Sequence, residues 1–126
     1  MQAYLIVFLG AGIGGALRHG VNVWSARVFG LNFPYGTLIV NIVGSLAMGL
    51  IAGYFMAKGS AAQHWRLFLA TGILGGFTTF SSFSLDVALL YERGELAVLA
   101  FYVLASVLVS ATALFIGLWA TRSFIP

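Results

Sequence analysis

The chain has 126 residues, 61% of them hydrophobic and 7% charged, and its mean hydropathy is +1.04. Soluble domains run at roughly 45–50% apolar and about 25% charged, so six basic and three acidic residues cannot cover the surface of a soluble enzyme, and that class is excluded. A formal net charge of +3 rests on too few charges to make a nucleic-acid surface, and the lack of cysteine excludes a disulfide scaffold or a thiolate metal site.

A membrane helix takes about 20 apolar residues. Four leave room for connections in a chain of this length, and five leave almost none. The sequence therefore predicts an all-α integral membrane protein, one four-span unit over residues 1–126, with spans at about 3–23, 36–57, 65–90 and 96–119. Trp24, Tyr35, Tyr54, Trp65, Tyr91 and Trp119 fall at the predicted boundaries, as an interfacial aromatic belt requires.

The first span carries Gly10 and Gly14 in GxxxG spacing and Arg18 toward its end. It has no basic leader region, and Gly10 to Gly15 interrupts its apolar run, so it reads as a span and not a cleaved signal. Arg18 either snorkels to the headgroups or serves a site. An Asn32–Gly36 turn (NFPYG) follows. In the second span Asn41, Ser45, Gly49 and Gly53 recur at i, i+4, a stripe of small and polar residues along one face. Such stripes let helices approach closely, either within one subunit or between two.

Lys58 to His64 connects to the third span, whose residues 71–84 read TGILGGFTTFSSFS. Three glycines and six hydroxyls make a poor lipid-facing helix, and the Gly75-Gly76 pair predicts a break near its middle. Unwound carbonyls at such a break suit a cation, and a half-helix N-terminus suits an anion. The alternative is a continuous helix with hydroxyls bonded to the preceding turn. Phe80 and Phe83 share a helical face, which is ordinarily core or lipid-facing; ring edges, being electropositive, also suit an anion. Asp86 lies late in the span, as a functional acid or a solvated vestibule residue.

The fourth span follows the Glu92–Glu95 turn (ERGE) and carries Tyr102, Ser106 and Ser110 as an i, i+4, i+8 polar line. His19 and His64 are not spaced as metal ligands, and no acid, base and nucleophile converge on catalysis. With four spans, Lys58, Arg66 and Arg122 fall on one side of the membrane and Arg18, Arg27 and Arg93 on the other. Three against three offers no positive-inside bias, so the chain is expected to insert in both orientations and to pair as an antiparallel dual-topology homodimer.

GGFTTFSSFS (75–84), with GTLIVN (36–41) and GALR (15–18) before it, resembles the Fluc (CrcB) family of microbial fluoride channels, in the same order of four spans over essentially the whole chain. The resemblance implies a fluoride-selective channel that exports the toxic ion passively across the bacterial cytoplasmic (inner) membrane. By position it implies Phe80 and Phe83 as ring edges on the fluoride route, Asn41 as a pore amide, and Tyr102, Ser106 and Ser110 as a polar track. It implies Arg18 near the aqueous vestibule, and the Gly75 and Thr78 carbonyls holding a structural sodium ion at the dimer interface. Many members carry glutamate where this chain has Asp86. Two other classes remain at this point. One is a small proton-coupled multidrug-type exporter, which lacks its acid in the first span here. The other is a non-conducting structural subunit, which leaves a broken third span without purpose.

Overall fold

The computed structural model describes residues 1–58 and 63–124, and it is helical throughout. Helix α1 runs Gln2–Phe29, α2 Tyr35–Lys58, α3 residues 63–77, α4 Phe80–Glu92 and α5 Leu96–Phe124. Four spans are long and apolar enough to cross a membrane, with α3 and α4 together forming the third. The middle connection expected over 58–64 lies, for residues 59–62, outside the described residues.

The first helix extends beyond the end expected near Val23 and takes Trp24 and Arg27 into helix. It stops at Gly30, whose φ of 86° and ψ of −171° occupy a region essentially reserved for glycine. Hydropathy marks where apolar residues thin out; it does not mark where the hydrogen-bond ladder ends.

The glycine stripes are consumed within one chain. A Cβ on Gly10 would come within 2.7 Å of the Phe68 carbonyl, and one on Gly14 would overlap the Ile73 carbonyl. These two residues seat α1 directly on α3. Likewise a Cβ on Gly49 would overlap the Leu114 carbonyl, and one on Gly53 would meet Thr121 Cβ at 2.8 Å. The α2–α5 contact is further tied by Thr121 Oγ1, which donates to the carbonyls of Leu50 (3.1 Å) and Gly117 (2.9 Å). At these four glycines the close approach is made within one subunit. Lipid gives helices no hydrophobic reason to associate, so close backbone approach has to supply the attraction.

Helix α3 is irregular. After a turn of α-helix (Gln63–Arg66) it widens to a π-helix over Leu67–Leu74 and tightens again at Gly75–Phe77. Leu74 and Phe77 pack with Val40 of α2 in the buried core, and that contact places the end of α3 against α2.

Candidate functional site

The third span is broken, but downstream of the glycine pair. Gly75 keeps helical dihedrals (φ −61°, ψ −38°), whereas Thr78 (φ −82°, ψ 156°) and Thr79 (φ −153°, ψ 119°) are extended. The break expected over residues 75–78 thus falls at the Thr78 end of that range, and the packing at Gly76 shows why. Gly76 serves close approach, since a Cβ on it would overlap the Ala11 carbonyl. Two β-branched residues, at ease in extended backbone, make the break instead.

The broken peptide is held from α2. Thr79 N–H donates to Asn41 Oδ1 at 2.9 Å, and Asn41 Nδ2 donates to the Thr79 carbonyl at 3.1 Å. Thr79 then caps α4, its Oγ1 accepting from Ser82 N–H at 3.1 Å. The spacing of Thr79 and Ser82 is an N-cap signal that the sequence reading passed over. Gly44 makes room for the break, because a Cβ there would overlap the Thr78 methyl.

These bonds leave particular carbonyls without their helical donors. In a continuous helix, Thr79 N–H would serve the Gly75 carbonyl and Ser82 N–H would serve that of Thr78. Both donors are diverted, to Asn41 and to Thr79 Oγ1. The carbonyls of Gly75 and Thr78 are thus among those, from 75 to 78, that the break deprives of their helical donors. Such an oxygen set suits a hard cation like sodium, and Gly75 is exposed on the single chain. No cluster of three His, Cys, Asp or Glu exists among the described residues.

Beside the break lies a groove of about 320 Å³ that gathers Asn41, Thr78, Phe80, Phe83, Ser106 and Ser110 from three spans. The rings of Phe80 and Phe83 are 5.5 Å apart, and Phe80 is 77% exposed. Ser106 Oγ and Ser110 Oγ are buried and have no hydrogen-bond partner. Buried hydroxyls are normally paired, so these two, both on residues lining the groove, are exceptions. Asn41 is differently placed from a free pore amide. Its oxygen and one amide hydrogen serve Thr79, and the second Nδ2 hydrogen is what it has to offer the groove. Met48, Val107 and Leu114 also line the groove, and nothing in their sequence positions singled them out.

Tyr102 sits one turn before Ser106, fully buried, with its ring 5.2 Å from that of Phe83. Its hydroxyl donates to Asp86 Oδ2 at 2.8 Å and so points away from the two serines of its own line. Arg18 is half-buried on α1 and lines neither this groove nor the cavity around Asp86. The site as assembled offers hydroxyls, an amide hydrogen and ring edges, and no formal charge lines it.

The family model described as CrcB-like protein, Camphor Resistance (CrcB), matches residues 5–118. The chain is 57% identical over 119 residues to the fluoride-specific ion channel FluC 2 of Nitrobacter hamburgensis, an alignment covering 94% of this chain and 96% of that one. It is 58% identical over 122 residues to the fluoride-specific ion channel FluC of Rhodopseudomonas palustris, covering 97% and 98%. To the protein of the same name from Methylobacterium nodulans it is 65% identical over 103 residues, covering 82% of each.

Proposed function

The chain belongs to the CrcB-like family, and from that premise we propose that it is a fluoride-specific channel whose route runs along the groove beside the Thr78-Thr79 break. It is a multi-pass bacterial membrane protein and a channel, not an enzyme. The observation that carries the route is that Ser106 and Ser110, whose buried hydroxyls have no partner within the chain, line the same groove as the Phe80–Phe83 ring pair. Fluoride is a small, strongly hydrated anion, and a pore must replace its water with donors. Hydroxyls, an amide hydrogen and ring edges do this without the deep well a fixed cation would make, so the ion can leave again. Proton-coupled export finds no support, as the three acids of the chain are Asp86, Glu92 and Glu95, and α1 carries none.

The working unit of this reading is an antiparallel homodimer of oppositely inserted chains. Phe80 and Gly75 stand exposed at membrane depth on the single chain, and a polar break is tolerated in a bilayer only where protein or a water-filled cavity covers it. The balanced count of basic residues removes the bias that would fix one orientation. Two copies would bring Gly75 and Thr78 carbonyls together from both chains, enough oxygens for a structural sodium ion. Arg18 belongs in this reading to the aqueous approach.

Liposomes holding purified protein and loaded with fluoride test conduction, with efflux followed by an electrode. Fast efflux that needs no proton gradient supports the channel, whereas efflux that collapses without one would restore the exporter. Ser60→Cys in the otherwise cysteine-free chain tests orientation. Modification from both sides of intact cells supports dual insertion, and modification from one side only removes it.

A further inference from the structure

A second cavity, of about 350 Å³, lies at the end of the bundle where α1 passes to α2 and α4 to α5. Its deep part is buried, with Ser25 only 3% exposed and Thr37 and Leu90 buried beside it. Its rim is formed by the 30–36 segment on one side and Arg93 on the other. Asp86 lines it too, and through its hydrogen bond to Tyr102 connects it to the ring that packs on Phe83. The cavity and the groove are thus neighbours, with Tyr102 standing between them.

The rim is fastened in two unlike ways. At its base Phe33 is wedged between aromatic rings, 5.6 Å from Tyr102 and 6.1 Å from Phe101. Its tip is highly exposed at Leu31 and is tied across the cavity by one side chain. Arg93 Nη2 donates to the Asn32 carbonyl at 3.3 Å, while Arg93 Nε pairs with Glu95 at 3.0 Å. Both sides turn on glycines with positive φ, Gly30 at 86° and Gly94 at 74°, the two such residues among those described. One polar tie between two glycine-hinged turns, over a cavity with a buried polar floor, is the construction of a lid and its catch.

We propose that Arg93 latches the tip of the 30–34 segment over this cavity and thereby sets the access of water and ions to Asp86 and Tyr102. Arg93 is a positioning residue; it acts through Asn32 and touches no part of the groove. Its fork matters, because the planar guanidinium serves the carbonyl and the carboxylate at once, which a lysine ammonium cannot do in the same geometry. The tie is exposed and long, so it is weak, and releasing it changes the open fraction by a factor of roughly 3–10 rather than by orders of magnitude.

The natural chain has no cysteine, so Ser25→Cys places a single, nearly isosteric thiol on the cavity floor. Its reaction with a water-soluble methanethiosulfonate is followed in the full-length reconstituted protein. Adding Arg93→Gln is expected to speed modification 3–10-fold, with Arg93→Lys in between. A control thiol at the exposed Gln2→Cys reacts at one rate in all three backgrounds. Circular dichroism confirms that each variant keeps its helices, and Glu95→Gln, which frees Arg93 without removing it, gives a second route to a smaller acceleration. Equal Ser25→Cys rates with and without Arg93→Gln and Arg93→Lys would overturn the latch. So would a Ser25→Cys rate matching Gln2→Cys in the chain with Arg93 intact. The readout is thiol access and not conduction, so the latch can fail while fluoride conduction stands, and the reverse.

Discussion

Asn41 and Thr79, 38 residues apart in the chain, are joined amide to peptide: the Asn41 side chain accepts from the Thr79 N–H at 2.9 Å and donates to its carbonyl at 3.1 Å. One carboxamide serves both backbone groups of Thr79, which the interrupted helix would otherwise leave open. Replacing it with Asn41→Ala strands a donor and an acceptor in an apolar setting, at about 1–3 kcal/mol for each unsatisfied group. A marked drop in melting temperature in detergent, together with lost efflux, is the expected result. Unchanged melting would show that the break does not depend on this pair.

Phe80→Ile and Phe83→Ile keep bulk and remove the electropositive ring edge. Each is expected to lower fluoride efflux on the order of tenfold, equivalent to ~1.4 kcal/mol, while the protein elutes from a sizing column as the natural chain does. Efflux at the natural rate in both variants would reject the ring-edge route.

Ser106→Ala and Ser110→Ala make a sharper test, because stability and flux should part company. Neither hydroxyl bonds to the chain, so neither substitution removes an internal bond, and stability should stay within about 0.5 kcal/mol. Efflux should fall, since each change deletes a donor from the groove. Lost stability with unchanged efflux would instead make these serines packing residues.

Sodium gives the fourth test. Efflux should proceed with equal sodium on both sides, and should fail, or the dimer weaken, when sodium is replaced by a large organic cation. Gly75→Val should mimic that loss by adding bulk beside a carbonyl the site needs. Efflux that scales with an imposed sodium gradient would mean coupled transport, and the structural ion would have to be given up.

The four spans were legible because about 20 apolar residues per crossing is a requirement of the bilayer, whatever the partners. The break was legible from glycines and hydroxyls crowded into residues 71–84, but which of those residues unwind was not. Composition cannot say that Gly76 is there for Ala11 while Thr78 and Thr79 do the unwinding. The stripes showed that some backbone must come close, and their spacing held nothing about whose. The Asp86–Tyr102 bond crosses a helical turn between α4 and α5 and leaves no periodic trace. Ser106 and Ser110 were visible as a line on α5, but that they go unpaired is a property of their neighbours, not of their own positions.

The π-helical stretch at Leu67–Leu74 has a consequence for how this chain can vary. A wide turn accommodates an extra residue, so the angular phase of everything after it depends on how many residues the stretch contains. Deleting one would let the segment relax to ordinary α-helix and would swing Gly75 to Thr78 through about 100°. That rotation carries Thr79 away from Asn41, although every residue of the break would still be present. Substitutions that keep the Gly10–Gly72 contact leave this phase alone, whereas a change of length shifts it. Relatives that share the break should therefore differ in letters along this stretch but agree in its count.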